Sequence, residues 1–215
     1  EKTALTQEAN TAADKAKEKI TKATTNDAVI EAQTNGVTAI DDIKVPTESA
    51  VKEAAKQAVA DAATAKNNAI DASNLTDEEK TALKQKVTEA QNAADQAIDS
   101  ATTNAAVTEA QTNGVNAIKG IDVPNTSATK EQAITDLNTA AENAKKAIDQ
   151  DSNLTDEEKQ AAKDQIDSDA KTAQDAINNA KTDNGVNDAV NNGKVAIDKD
   201  VANAAIDNAV AGKLK

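Results

Sequence analysis

The chain has 215 residues and a net charge of −13, and it contains no Cys, Met, Trp, Tyr, Phe or His; no Arg occurs either. That alphabet removes most nucleophiles and general bases, leaves no basic patch or aromatic platform for nucleic acid, and disfavours an anionic membrane surface. Any core must be built from Ala, Val, Ile and Leu, so helices have to approach closely around a thin seam in which the few large side chains hold most of the stability, at about 1.5 to 3 kcal/mol per buried Ile or Leu.

The first residues align with a later stretch: Glu1-Lys2-Thr3-Ala4-Leu5 returns as Glu79-Lys80-Thr81-Ala82-Leu83. A period this long belongs to a supersecondary unit, and three helices fit in each period, designated A, B and C. The chain thus begins inside a B helix, with Leu5, Ala9, Ala12, Ala16, Ile20 and Ala23 as its apolar stripe. A C helix follows and stops at Val45-Pro46-Thr47, because Pro lacks an N–H and pushes the residue before it out of the α region.

Helix A is expected from about Glu48 to Ala72. After the polar loop Asp71-Ala72-Ser73-Asn74 comes the phrase around which the units align, Leu75-Thr76-Asp77-Glu78-Glu79-Lys80, repeated letter for letter as Leu154-Thr155-Asp156-Glu157-Glu158-Lys159. Its physics is that of a helix start: Thr76 can accept from the N–H three residues on while Glu79 reaches back to the N–H of Thr76, and the acids of the first turn suit the helix dipole. Helix B then runs from Thr76 to about Ala101, with a stripe at Leu83, Val87, Ala90, Ala94, Ala97 and Ala101; Ile98 and Ile177 are expected anchors of that seam.

Thr102-Thr103-Asn104 opens helix C, from about Asn104 to Lys119, with Val107, Ala110, Gly114, Ala117, Ile118 and Ile121 on its buried face. Gly114, like Gly36 and Gly193, sits where Gly costs helix stability, which points to close helix approach; the alternative is an Asn113-Gly114 turn. Val123-Pro124-Asn125 ends helix C. The next helix A is expected from about Thr129 to Asp149, stepping through Ala133, Leu137, Ala140, Ala144 and Ala147.

The third B stripe is Ala162, Ile166, Ala173, Ile177 and Ala180, and Asp169 falls where an apolar residue is expected, so this copy is locally rotated or weaker there. The last stretch, Val201 to Leu214, lacks the Val-Pro break; helix C runs on into it, or the end frays. The resulting layout is a partial repeat over 1–45 (helices B and C), complete three-helix repeats over 46–122 and 123–198, and the start of a further helix or a frayed end over 199–215. The fold class is all-α, with tandem three-helix bundles placed end to end as an elongated rod.

No site chemistry emerges. Asp41-Asp42 lies in polar surroundings with nothing to raise a pKa, and no nucleophile elbow, phosphate loop or zinc spacing occurs. Asp149-Gln150-Asp151-Ser152-Asn153 imitates the opening of a calcium loop but has Leu154 where the turn Gly belongs and Gln160 in place of the bidentate Glu. Asn74-Leu75-Thr76, Asn125-Thr126-Ser127 and Asn153-Leu154-Thr155 match the glycosylation pattern, which an Asn- and Thr-rich chain produces by chance. The expectation is therefore no catalytic, cofactor-binding or metal residue, no cofactor and no enzyme.

Units of this length carrying Ala-Ile-Asp, Leu75 to Lys80, Ala101 to Asn104 with Val107, and Gly114 to Ile118 resemble the domain-of-unknown-function repeats of Gram-positive cell-wall-anchored surface proteins of the staphylococcal Ebh and SasC type. Second copies stand at Leu154 to Lys159 and around Gly193. The resemblance implies helical bundles in tandem outside the cell, in proteins of adhesion, aggregation or biofilm, and it carries over no functional residue. It suits an interior piece of such a protein. The expected role is a non-catalytic stalk that projects an adhesive region, a monomer whose partners are neighbouring repeats, with a host or matrix protein as a further candidate and neither nucleic acid nor membrane insertion. The alternatives are a helical binding module and a desiccation-type protein, disordered when hydrated.

Overall fold

The computed structural model describes residues 1–214. Eight helices account for most of it: α1 (Lys2–Lys22), α2 (Asn26–Asp41), α3 (Ala50–Ala72), α4 (Asp77–Ser100), α5 (Asn104–Lys119), α6 (Ala128–Gln150), α7 (Asp156–Asn179) and α8 (Asp183–Leu214). Among the described residues there is no strand. Helices α3, α4 and α5 each pack on the other two, as do α6, α7 and α8, while α1 packs on α2. The two triads have separate buried clusters.

Each start is fixed locally. Thr25, Ser49, Thr76, Thr103, Ser127, Thr155 and Thr182 accept from the backbone N–H three residues on, and Thr76 and Thr155 form full capping boxes with Glu79 and Glu158. Helix A begins at Ala50 and Ala128, behind its serine caps, close to the expected positions.

The seam runs one residue beside the expected line at several helix ends. In Ala97-Ile98, Ala117-Ile118 and Ala147-Ile148 the Ala is exposed and the Ile buried. Each Ile lies eleven residues, about three turns, beyond the buried Val87, Val107 or Leu137, whereas the Ala one place earlier is rotated by about 100° from it. The larger side chain also gains more from burial. Ile98 and Ile177, the expected anchors, are both fully buried.

Gly114 is helical, which rules out the Asn-Gly turn: a Cβ built on it would overlap the Cβ of Ala94 on α4. Gly36 meets Ala16 and Gly193 meets Ala173 in the same way, so helices B and C touch through a Gly-Ala contact in all three units.

Helix C ends differently in its last copy. At the end of α5, Lys66 Nζ donates to the carbonyls of Lys119 (2.9 Å) and Ile121 (2.6 Å), just before Pro124. In the last unit the places of Lys66, Gly120 and Pro124 are taken by Ala144, Lys199 and Asn203, so stop and carbonyl partner are lost together and α8 continues for 32 residues. Of the two expected outcomes for this stretch, the helix runs on; Lys215 lies outside the described residues. Beside the continuation the α7 seam steps sideways: Ala170 is buried, and Asp169, at the edge, faces Asp200 of α8. Burial first, and then the Asp169 charge, pushes the Asp200 carboxyl above its ordinary range.

Ile98→Ala is expected to cost about 2 to 5 kcal/mol, whereas Ala97→Ser should stay within about 0.5 kcal/mol. Urea melts of the two variants check this, and similar losses in both would move the seam back to the 4-3 line.

Candidate functional site

The hydrogen-bonded cluster that joins separate elements of this chain most densely lies between the two complete triads, and the repeated phrase is at its centre. Thr76 has no exposed surface and Leu75 very little. Thr76 Oγ1 accepts from the N–H of Glu79 (3.3 Å), and Glu79 Oε2 accepts from the N–H of Thr76 (3.0 Å). The second carboxylate oxygen, Oε1, accepts from the N–H of Thr129 at the start of α6 (3.3 Å). One carboxylate thus serves two helix starts, one in each bundle.

Around it the first turn of α4 meets the α7–α8 turn. The N–H of Asp77 donates to the carbonyl of Lys181 (2.7 Å), and Glu78 Oε2 accepts from the N–H of Asp183 (2.9 Å). Lys130, 8% exposed, closes the joint: its Nζ donates to the carbonyl of Asn74 on one bundle (3.2 Å) and to that of Asn178 on the other (3.0 Å). A buried ammonium needs such acceptors. Burial first, and then the charge of Lys181, lowers its pKa.

Burial by itself would raise the Glu79 carboxyl. The N–H of Thr76, the Ser127 hydroxyl, the N–H of Thr129 and the Thr76 hydroxyl outweigh it, and the pKa lies below the ordinary 4.5.

Part of the plan recurs between α1·α2 and the next triad: Glu1, which aligns with Glu79, accepts from the N–H of Ala50 (2.9 Å), while Lys52, which aligns with Lys130, donates within its own triad to the carbonyl of Asp99 (2.7 Å). At the second copy of the phrase the box is intact, yet Thr155 is exposed. There Leu154 shares a buried cluster with Ala204 of the α8 continuation, and Asn208 Nδ2 donates to Asp151 Oδ2 (2.5 Å). Reading the phrase as a helix start alone missed its docking role. The available signal was the Ser-x-x-Lys opening of helix A, at Ser49 to Lys52 and again at Ser127 to Lys130.

The other sequence candidates lie apart from this cluster. Asp149 sits in the last turn of α6 and pairs with Lys163 (2.8 Å), and Asp151 caps that helix's end, its Oδ1 accepting from the N–H of Asn153 (2.9 Å). Among the described residues no group of three acids could hold a metal ion. Asp41 and Asp42 are exposed at the end of α2. Of the sequon hydroxyls, Thr76 is buried in the joint, while Thr155 carries the second box in the open. No described helix is long and apolar enough to cross a membrane.

A chain of helical bundles, each with its own small core and joined to the next by hydrogen bonds between helix ends, is a tandem helical repeat protein. It belongs to the family described as Domain of Unknown Function (DUF1542), which matches residues 1–48, 51–126 and 129–205. The chain is 31% identical over 131 residues to "Extracellular matrix-binding protein EbhA" of Staphylococcus aureus strain Newman, covering 61% of this chain and 4% of that protein. Identity and coverage of this chain are the same for "Extracellular matrix-binding protein ebh" of strain NCTC 8325 / PS 47, of which it spans 1%. The chain is therefore a very small part of the length of these relatives. No solved structure matches it.

Both cap threonines should matter, and unequally: Thr155→Ala costs about 1 kcal/mol, Thr76→Ala up to about 2, because the second also strips a buried joint. Thermal melts decide, and equal losses would mean that the joint adds nothing.

Since the Glu79 pKa is lowered on folding, its contribution is complete above the ordinary 4.5 and is lost as pH falls through the folded value. Melting midpoints followed from about pH 6 to about pH 3 should drop less steeply in Glu79→Gln than in the parent. Superimposable acid limbs would remove Glu79 from the joint's energetics.

Proposed function

We propose that the chain is a non-catalytic spacer within a bacterial surface adhesin, a stalk of bundles that holds an adhesive region of the parent protein away from the cell wall. The observation that carries this reading is the joint itself. Glu79, Lys130 and the first turn of α4 make hydrogen bonds across the two bundles, Thr76 and Lys130 are buried there, the bridging Glu recurs one period earlier at Glu1, and each triad keeps its own core. A series of such joints sets neighbouring bundles in defined orientations without one shared core. The partners are then the neighbouring repeats of the same chain, the protein is a monomer, and attachment to the wall belongs to other parts of the parent.

The names of the relatives favour a second reading, in which a helix face binds a matrix protein. Interface hot spots favour Trp, Tyr and Arg, and this chain has none.

Shape tests the spacer. Helices of about 24 residues at 1.5 Å each are roughly 36 Å long, so three units in line span on the order of 110 Å. Such a rod has a radius of gyration of about 32 Å, against about 17 Å for a globule of this chain length. Small-angle scattering at physiological salt should give a value near the first with a long-tailed distance distribution. A value under about 20 Å would mean bundles folded back on one another and would end the spacer reading.

A further inference from the structure

One acid of α8 stands where the seam calls for an apolar residue. Ile197 and Ala204 are buried on one stripe of the helix, and Asp200 falls between them, at the place that aligns with Ile121 of the preceding unit. Its Oδ2 atom is buried and has no hydrogen-bond partner among the described residues. The helix is pinned on either side of it. Ile197 shares a buried cluster with Ile166 of α7, while farther on Leu154 packs with Ala204 and Asn208 Nδ2 donates to Asp151 Oδ2 (2.5 Å). Moving the backbone at Asp200 away from α7 therefore means lifting the whole continuation of α8.

The groups around Asp200 leave its charge uncompensated. On α7 the Asp169 carboxyl lies within hydrogen-bonding range and is itself fixed by Gln165, whose Nε2 donates to Asp169 Oδ1 (3.0 Å). Along the same groove come Glu158 of α7 and Asp207 of α8, again acids. On α6 the position of Lys66 is taken by Ala144; Lys145 is held by Glu142 (2.6 Å) and Asp167 (2.9 Å), and Lys163 of α7 by Asp149 (2.8 Å). Lys199, next in the chain, is exposed. Two carboxylates in a half-buried contact repel more strongly than in open water, because little solvent lies between them to screen the charge.

We propose that Asp169 and Asp200 form an acid-tightened clasp: as two carboxylates they push the continuation of α8 away from α7, and one proton, taken up from solvent and shared between them, draws it back. The proton sits on Asp200, whose hydroxyl then donates to the Asp169 carboxylate. The direction follows from linkage. Burial first, and then the Asp169 charge, holds the Asp200 carboxyl above the ordinary 3.8, so the folded chain binds this proton at a pH where the unfolded chain does not. The penalty of the charged pair is complete above the folded value, declines as pH falls through it, and is gone below 3.8. Glu79 has the opposite sign, so acid firms the α7·α8 contact while it loosens the joint at α4.

The inference rests on this local pair and stands or falls independently of the spacer reading. Its test uses the full chain, with amide exchange followed residue by residue and expressed as protection factors. At about pH 7, Asp200→Asn and Asp169→Asn should each raise protection over 200–210 by about twofold or more, because each removes one charge and keeps the shape. The two together should gain less than the product of the single effects, since either one already ends the repulsion. The excess over the parent should shrink as pH falls through about 5, while protection over 104–119 stays the same in every chain. In the unaltered chain the Asp200 carboxyl carbon, followed by NMR, should titrate above 3.8. Lower or unchanged protection in the two variants at neutral pH, an excess that does not vary with pH, or a carboxyl carbon titrating at or below 3.8 would overturn the proposal.

Discussion

The contact between a glycine of helix C and an alanine of helix B is the interaction on which the rest of the structure depends. With nothing larger than Leu or Ile available, a bundle of ordinary interaxial spacing would leave voids along its axis, and unfilled volume costs stability in proportion to its size. Gly36, Gly114 and Gly193 let the backbones close until Ala16, Ala94 and Ala173 touch them. The remaining seam is then narrow enough for Ala, Val and a few Ile residues to fill. The helix-propensity cost of an interior glycine, about 1 kcal/mol, is offset by the packing that the approach permits along the whole length of the pair.

A thin core of this kind places unusual weight on the helix ends. Seven of the starts are closed by Ser or Thr, and at one of them the closure doubles as a connection. Glu79 can do this because a carboxylate has two oxygens and a capping box occupies only one of them. The arrangement couples local helix formation to bundle-bundle docking: a change that frays α4 also releases α6. In such an array the stability of a unit is inseparable from that of its neighbour, as nearest-neighbour descriptions of repeat proteins require.

The two ways in which helix C terminates show how few residues decide a joint. Lys66, Gly120 and Pro124 make α5 stop and hand the chain to a linker, while Ala144, Lys199 and Asn203 let α8 continue past the α6–α7 loop. The continuation brings Asp200 beside Asp169, at positions that align with Ile121 and Ala90 of the preceding unit. An otherwise regular array thereby acquires a place whose electrostatics differ from those of its neighbour. Repetition of the fold does not impose repetition of the joints.

Much was legible in the residues alone. The all-α class, the capping boxes at Thr76 and Thr155, the stops at Pro46 and Pro124 and the buried Ile98 and Ile177 follow from local patterns, because capping, proline geometry and helical periodicity act over a few neighbouring residues, while the period and the family resemblance came from the recurrence of whole phrases. Three things were decided only by tertiary structure. Ala97, Ala117 and Ala147, expected on the seam, are exposed, and at the end of α6 Ile148 is buried in place of Ala147, a choice between adjacent faces that depends on what the partner helices present. Glu79 and Lys130 became the joint because residues half a repeat or more apart meet there, and nothing in either local phrase specifies its partner. Thr76 is buried and Thr155 exposed although their surrounding sequences are identical from Leu to Lys, since burial is set by the neighbouring bundle and not by the residue itself.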